Sequence, residues 1–189
     1  MSRHDGRIGR RLAIHGPPGS GKTTLASRLA DVLGVPQIEL DALYHLPNWG
    51  VPATEEFRAK VRGVLEQANA GFTIDGNYSI VRDLVFERIE TAIWLRQPFR
   101  VVYPRVCRRT LKRVTSRELL WGTNRERWRD VLGRESMFLY GITRWRPQQE
   151  RMRAALGERP EQVRLFILRS DVEVEEFVAR VRAEHGGLP

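Results

Sequence analysis

The residues with the clearest chemical signature form one short segment near the amino terminus. The pattern G-x-x-x-x-G-K-[ST], which is typical of a phosphate-binding P-loop, is present in full. It is filled by Gly16, Pro17, Pro18, Gly19, Ser20, Gly21, Lys22 and Thr23, and Thr24 follows directly. An apolar run precedes the pattern and a helical pattern follows it, which is the context that a P-loop requires.

This segment predicts the binding of ATP together with Mg²⁺. Glycines permit a compact loop whose N–H groups point inward at a helix N-terminus and bind phosphate oxygens. We expect Lys22 to reach the terminal phosphates as a catalytic residue and the Thr23 hydroxyl to be a magnesium ligand. The whole segment 16–24 is expected to contact the nucleotide.

Two aspartates follow apolar runs that are typical of β-strands. Asp41 comes after residues 38–40, and Asp75 comes after residues 72–74. In an open α/β sheet, ligands bind just beyond the carboxyl ends of the strands. Each carboxylate is therefore a candidate to hold Mg²⁺ through water, to orient a phosphate acceptor or to accept its proton. The alternative for both residues is a helix cap or a turn.

The elements that position these residues alternate between strand-like and helical patterns. Strands are predicted at 11–15, 37–40, 72–74, 91–95 and 163–168. Helices are predicted from Lys22 to Leu33, from Thr54 toward Gly71, over 81–88, from Pro98 through Val114, over 137–156 and from Asp171 onward. Five strands that alternate with helices predict an α/β fold with a parallel sheet and helices on both faces.

Several details of the helices are also predicted. Thr54 and Asp171 are expected to be N-caps. The helix that starts at Pro98 is expected to bury one side, formed by Phe99, Val102, Val106, Leu111 and Val114.

The composition is that of a globular domain with a strong positive charge. The chain has 189 residues, is 41% hydrophobic and carries a net charge of +9. No run approaches the roughly 18 apolar residues of a membrane-spanning helix, and residues 1–10, which lack a signal-peptide core, are expected to be a disordered leader. One cysteine, Cys107, agrees with a reducing, cytoplasmic location.

The basic residues are concentrated in the second half of the chain, between Arg96 and Arg153. Such a charge is typical either of nucleic-acid binding or of a pocket for polyphosphate, and composition leaves both open. Residues 116–136 are rich in Arg and Trp and poor in aliphatic residues. We expect this segment to be a helical lid insertion.

The remaining motifs separate the classes of P-loop protein. No N-K-x-D motif of a GTPase is present. Strands 3 and 4 end in residues 74–76 and 94–96, and neither end carries the Asp-Glu pair of a motor ATPase. The pattern that remains is that of a small-molecule kinase.

Three segments together resemble a known family. Residues 16–26, 40–49 and 74–78 resemble the bacterial DNA topology modulation (FlaR-like) proteins, a group related to adenylate and shikimate kinases. The resemblance covers about residues 10 to 155. It implies a three-layer, nucleoside-monophosphate-kinase-like P-loop NTPase fold in a single domain, 11–189, with an acceptor-binding region at about 41–70 and a lid at about 116–136.

The resemblance also implies roles for individual residues. Asp75 is similar to the aspartate that supports the Mg²⁺ shell in adenylate kinases, and Asp41 to the aspartate that binds the acceptor hydroxyl in shikimate-kinase-like enzymes. Arg105 and Arg109 resemble a pair of which one stacks on adenine and the other contacts phosphate. Arg82 resembles an arginine for the transferring phosphates.

These observations predict an ATP-dependent phosphotransferase that moves the γ-phosphate to a small acceptor, either a nucleotide or a hydroxyl metabolite. The expected catalytic residues are Lys22, Asp41, Asp75 and Arg109, and the expected metal site is Thr23 with Asp75. Two alternatives remain, a nucleic-acid-associated ATPase that affects DNA topology and an ATP-binding switch without turnover.

Overall fold

The computed structural model describes residues 7–116, 119–121, 124–125 and 137–186. Five strands form one parallel sheet with the order β2-β3-β1-β4-β5. The strands are β1 Arg11–His15, β2 Gln37–Glu39, β3 Phe72–Asp75, β4 Thr91–Leu95 and β5 Arg164–Leu168. The predicted fold class, a five-stranded parallel sheet covered by helices, is confirmed.

The central position of β1 decides which loops meet. β1 pairs with β3 on one side and with β4 on the other, so that Ile14 lies between Asp75 and Ile93. On the far side of β3, Glu39 of β2 is in register with Asp75. Because all strands run in the same direction, the loops after β1, β2 and β3 emerge at one edge of the sheet.

Seven helices surround the sheet in the described part of the chain. They are α1 Lys22–Leu33, α2 Leu40–Tyr44, α3 Thr54–Gln67, α4 Arg82–Arg88, α5 Phe99–Ser116, α6 Met137–Gly157 and α7 Asp171–His185. Two short 3₁₀ turns, Pro47–Trp49 and Ser79–Val81, complete the connections after β2 and β3.

The sheet separates two apolar cores. On one face, Leu12 and Ile14 pack with residues of α1 and α7 such as Leu29 and Val181. On the other face, Ala13 and Ile74 pack with α3, α4 and the end of α6. Alternate residues of β1 thus enter opposite cores, as the period of two in a strand requires. The sheet edge at which the loops after β1, β2 and β3 emerge is therefore supported by helices on both faces.

The ends of three helices follow from local backbone chemistry. Gly34 ends α1 in the left-handed conformation, with φ 61°, as expected for a C-terminal glycine. The two predicted N-caps are each displaced by one residue. Thr54 is the first residue of α3 and follows Ala53, and Ser170, not Asp171, caps α7 by accepting a hydrogen bond from the Glu173 amide.

The buried side of α5 differs at one position from the prediction. Val102, Val106, Thr110 and Val114 are buried and recur at every fourth residue, whereas Leu111 is 50% exposed. Each helical residue advances by about 100° around the axis, so Leu111 is rotated away from the row that Thr110 occupies. The prediction of a buried Leu111 was wrong because it followed residue type rather than helical phase.

Two predicted segments lie largely outside the described residues. Of the predicted leader, residues 7–10 are described, and they are packed: Ile8 is fully buried, its amide donates to Glu184 Oε2 at 2.6 Å, and its carbonyl lies 2.6 Å from His185 Nε2. Of the predicted lid 116–136, only residues 116, 119–121, 124 and 125 are described. No helix of the described chain is long and apolar enough to cross a membrane.

Candidate active site

The P-loop bends tightly between β1 and α1. The Ser20 amide donates to the Pro17 carbonyl at 3.2 Å, and Gly19 and Gly21 have φ values of 79° and 90°. A Cβ atom on Gly19 would lie 2.5 Å from Val106 Cγ2 of α5. Only glycine therefore permits both the left-handed backbone and the close packing of the loop on α5.

Lys22 folds back over the loop. Its Nζ atom donates to the Pro17 carbonyl at 3.2 Å. Burial lowers the pKa of Lys22, and the nearby carboxylates of Asp41 and Asp75 oppose that shift. The ammonium group thus contacts the phosphate loop and is close enough to both aspartates for their charges to act on it.

Thr23 and Asp75 come together beside the loop. The Thr23 hydroxyl donates to Asp75 Oδ1 at 3.1 Å, and Gln37 Nε2 donates to Asp75 Oδ2 at 3.2 Å. A hydroxyl and a carboxylate are hard oxygen ligands of the kind that Mg²⁺ prefers, and Mg²⁺ bound with nucleotide phosphates needs only one or two protein ligands. The residues present thus fit a magnesium ion, although no cluster of three His, Cys, Asp or Glu side chains forms a protein-only cage in the described chain.

The environment of Asp75 changes its ionisation. The residue is only 2% exposed, and burial raises its pKa from 3.8 to about 6, while the hydrogen bonds from Gln37 and Thr23 and the charge of Lys22 act in the opposite direction. A cation bound nearby would lower this pKa and favour the charged form of the carboxylate.

Asn77 fastens the start of the P-loop to the end of β3. Its side-chain Nδ2 donates to the Gly16 carbonyl at 2.6 Å, and its Oδ1 accepts from the Gly16 amide at 3.5 Å. The side chain thus acts in place of a backbone strand residue and keeps the loops after β1 and β3 in a fixed relation.

Asp41 lies in the first turn of α2 and is held by Tyr78. The Tyr78 hydroxyl donates to Asp41 Oδ1 at 2.6 Å. Burial raises the pKa of Tyr78, and the hydrogen bond to Asp41 raises it further, so the phenol stays protonated as the donor. A second carboxylate on the same side, Glu39, accepts a hydrogen bond from the Trp121 indole at 3.2 Å.

Four aromatic rings cover the loop that follows Asp41. They belong to Tyr44, His45, Trp49 and Trp121. His45 stacks on Trp121 with ring centres 4.8 Å apart, and Trp49 meets both rings edge to face at 5.4 and 5.9 Å. Burial lowers the pKa of His45, while the charge of Asp41 opposes that shift.

Asn124 ties the described part of the predicted lid to this loop. It is 1% exposed, its Oδ1 accepts from the Trp49 amide at 2.7 Å, and its Nδ2 donates to the Leu46 carbonyl at 3.1 Å. The Trp49 indole in turn donates to the Arg125 carbonyl at 3.2 Å. Asn48 and Trp49 both have positive φ, 59° and 61°, a conformation that costs energy in residues other than glycine.

Arg105 and Arg109 line a separate depression of 440 Å³ on the other side of the P-loop, together with Gly19 and Thr24. Arg105 forms an ion pair with Asp171 at 2.7 Å and donates to Gln97 Oε1 at 2.9 Å. Gln97 also donates to Asp171 at 2.7 Å, which closes a three-membered network at the edge of the depression. An arginine held in this way presents a planar face in a fixed place.

The predicted site residues thus fall into two groups around one loop. One group contains Lys22, Thr23, Asp41 and Asp75, and the other contains the two arginines, which line the depression beside Gly19 and Thr24. The charge of Arg109 also acts on Lys22. Sequence reasoning did not identify Gln37, Glu39, Gln97 or Asn124. Alternation along β2 places the side chains of Gln37 and Glu39 on the same face of the strand, and this pattern could have indicated both residues as site candidates. No local pattern indicates Asn124.

Comparisons with known proteins agree with a nucleotide-binding amino-terminal half. The model of the ATPase family associated with various cellular activities (AAA) matches residues 12–82. A cytidylate kinase from Thermosipho melanesiensis is 38% identical over 72 residues, which are 35% of this chain and 33% of that protein. An uncharacterised AAA domain-containing protein from Schizosaccharomyces pombe is 44% identical over 61 residues, 32% of this chain and 7% of that protein. The matches thus span a third or less of these relatives.

Solved structures match the fold over most of the chain, whereas the sequence matches cover about a third of it. A gluconokinase from Sinorhizobium meliloti superposes with a TM-score of 0.52 at 18% identity, covering 96% of this chain and 94% of that one. A shikimate kinase from Acinetobacter baumannii gives 0.54 at 14% identity, covering 91% and 90%. The chain therefore has a P-loop NTPase fold with the architecture seen in these kinase structures.

Proposed function

We propose that this chain is a Mg²⁺-dependent phosphotransferase that moves the γ-phosphate of ATP to a small-molecule acceptor. The observation that carries the proposal is that Lys22, which donates to the Pro17 carbonyl of the P-loop, also interacts electrostatically with both Asp41 and Asp75. A site that only held a nucleotide would not require a second carboxylate, Asp41, oriented by its own hydrogen bond from Tyr78. In this proposal, Asp41 is the group that binds the acceptor, opposite the nucleotide phosphates.

Each residue has a part in that reaction. The P-loop N–H groups and Lys22 bind the phosphates, Thr23 and Asp75 hold Mg²⁺, and Arg105 and Arg109 bind the adenosine end and the phosphates. The metal, when bound, neutralises charge that develops on the transferred group. An acceptor hydroxyl bonds to the γ-phosphorus as the bond to the leaving ADP oxygen breaks, and Asp41 accepts the hydroxyl proton.

An ADP-release screen tests the proposal directly. The purified chain is incubated with Mg²⁺, ATP and single acceptors drawn from nucleoside monophosphates, sugars and hydroxy acids, with Lys22→Ala as the blank. We expect one class of acceptor to raise ADP formation at least about 100-fold over the chain with ATP alone, and Lys22→Ala to abolish the increase. Equal ADP formation with and without every acceptor would contradict phosphotransfer.

One observation favours a second function, an ATPase that binds nucleic acid. Helix α5 carries no acidic residue and six basic ones, namely Arg100, Arg105, Arg108, Arg109, Lys112 and Arg113. Exposed arginine and lysine side chains on one helix suit the phosphates of a nucleic-acid backbone.

DNA binding separates this second function from the first. If it holds, affinity for a DNA duplex falls steeply with salt, and DNA stimulates ATP hydrolysis. The substitutions Arg108→Gln and Lys112→Gln would then reduce the salt dependence. If DNA binding is undetectable at low salt and ADP release depends on an acceptor, the nucleic-acid function is excluded and phosphotransfer is the function that remains.

A further inference from the structure

A small cavity lies beneath the edge of the sheet where β1 and β3 end. It has a volume of 30 Å³, and its polar lining comes from His15, Asn77, Tyr78 and Arg82. The rest of the wall is mainly apolar, with Phe86 of α4 and Leu156 of α6 among its residues. The resemblance implied that Arg82 contacts the transferring phosphates, but in the structure its side chain lines this cavity.

His15 contributes a buried polar group that lacks a partner. The residue is 9% exposed, its ring packs edge to face on Phe86 at 6.3 Å, and its Nε2 atom has no hydrogen-bond partner among the described residues. Burial lowers the pKa of His15 to about 4, while Asn77 opposes that shift, so the ring is neutral near pH 7. A buried polar atom of this kind is costly unless a ligand or water completes it.

Arg82 contributes a charge that forms no ion pair with a carboxylate of the described residues. It is the first residue of α4, is half-buried and is the one charged side chain in the described lining of the cavity. The neighbouring carboxylate, Asp83, is already paired in a bidentate manner with Arg58 at 2.9 and 2.6 Å. No described carboxylate forms a salt bridge with Arg82.

We propose that this cavity anchors the acid group of the phosphate acceptor, and that the acceptor is a compact hydroxylated acid rather than a nucleotide. Arg82 provides the charge-assisted hydrogen bonds to the acid oxygens, and the His15 ring completes the hydrogen bonding. The inference rests on the proposed phosphotransfer and names the class of its acceptor.

Tyr78 links the cavity to Asp41. Tyr78 lines the cavity and also donates to Asp41, so a molecule seated on Arg82 extends toward the carboxylate that would take its proton. The volume limits the group that the cavity encloses, because 30 Å³ holds about two water molecules, which is enough for a carboxylate and too little for a nucleobase.

A charge series on matched carbon skeletons tests the inference. ADP release is measured with glycerate, glycerol and 3-amino-1,2-propanediol, with gluconate, glucose and glucosamine, and with CMP. Within at least one skeleton, we expect the acid to be used at least about 10-fold more efficiently, by kcat/KM, than the neutral and cationic members.

Two variants assign the preference to the cavity. Arg82→Gln should raise the KM for the acid about 10- to 100-fold and remove its advantage over the neutral compound, while Arg82→Lys should restore part of it. His15→Phe, which fills the cavity without a polar group, should act in the same direction. Arg88→Gln, a half-buried arginine in the last turn of the same helix, should leave the preference unchanged.

The outcomes separate the acceptor class from the reaction. A preference for the neutral compound, the amine or CMP would overturn the inference and leave phosphotransfer standing. If no compound yields ADP but an acid raises the melting temperature in the wild type and not in Arg82→Gln, the anchoring site stands and phosphotransfer fails. If no acid gives ADP release or a melting shift, the inference is overturned.

Discussion

At the scale of single residues, the chemistry depends on side chains whose neighbours alter their ionisation or orientation. Asp75 and Asp41 illustrate the two cases. Asp75 is buried next to the P-loop and resists ionisation, whereas Asp41 is half-buried and is oriented by the Tyr78 hydroxyl. Each carboxylate has capacity for a further partner, as the proposed site for Mg²⁺ and an acceptor requires.

Asp75→Asn should therefore stabilise the free protein while it destroys phosphotransfer. The pKa of Asp75 is higher in the folded chain, about 6, than the ordinary 3.8. The group favours folding below pH 3.8, and that contribution is lost as pH rises through 6. At pH 7 the variant should gain about 1–2 kcal/mol in the free energy of unfolding, measured by urea denaturation, and the gain should vanish near pH 4.

Asp31→Asn is the control for this experiment, because Asp31 is exposed on α1. It should change the free energy of unfolding little at either pH. A destabilised Asp75→Asn variant at pH 7 would show that the carboxylate is needed for the fold rather than for Mg²⁺.

Tyr78→Phe should lower the rate of transfer without loosening the fold. The ring packs on Phe57 and Tyr44 at 5.3 and 4.6 Å between centres, and these contacts survive the loss of the hydroxyl. Asp41 loses the hydrogen bond that orients it, so we expect kcat to fall about 10-fold, with the KM for ATP unchanged. Steady-state kinetics check this, with Tyr103→Phe on α5 as the matched variant; an unchanged kcat for Tyr78→Phe would exclude the orienting role.

At the scale of elements, the loop after β2 is held by a segment far away in the chain. Asn124 supplies two side-chain hydrogen bonds to its backbone, at Leu46 and Trp49, and the indole of Trp121 reaches Glu39. These contacts support a backbone with two consecutive positive φ values. The region around Asp41 is therefore assembled from two segments separated by more than 70 residues.

Asn124→Ala should release this loop locally. The Trp49 amide loses its acceptor and the Leu46 carbonyl loses its donor, at a cost of about 1–3 kcal/mol. Hydrogen exchange of the Trp49 amide, followed by NMR, should accelerate about 10- to 100-fold, while amides of β1 and β3 keep their protection. Asn69→Ala, in the exposed turn before β3, should leave the Trp49 amide unaffected; acceleration throughout the sheet would mean that Asn124 supports the fold as a whole.

At the scale of the whole molecule, ligands should stabilise the chain because the site joins elements of both cores. The P-loop continues into α1, which packs in one core, and Asp41 and Tyr78 belong to segments that pack in the other. A ligand bound to both halves lowers the free energy of the folded state by mass action.

Mg²⁺ with a non-hydrolysable ATP analogue at about 100 times its dissociation constant should add about 2.7 kcal/mol to the free energy of unfolding. EDTA should remove most of this gain, because without Mg²⁺ no bound cation neutralises the buried charge of Asp75. The same titration on Lys22→Ala should give little stabilisation. Thermal denaturation provides the measurement, and equal stabilisation with and without Mg²⁺ would contradict the proposed metal site.

The fold class and the phosphate loop were accessible from the sequence because both depend on local chemistry. Glycine spacing, a lysine and a threonine specify the P-loop, and the alternation of apolar periods specifies the five strands and most helix bounds. Errors of one residue at Thr54 and Asp171 arose because several residues near a helix start are able to cap it. Leu111 was misplaced because residue type outweighed helical phase.

What the tertiary structure alone decided is which distant groups meet. The strand order brings His15, Asp41 and Asp75 to one edge of the sheet. Helix packing pairs Arg105 with Asp171 and Asp83 with Arg58. Arg82 lies in the same cavity as His15, whose Nε2 atom has no hydrogen-bond partner among the described residues. None of these contacts follows from local patterns, because each joins residues from different elements and depends on the packing of the two cores. The sequence by itself thus determined a loop for phosphate, and tertiary packing decided what faces it.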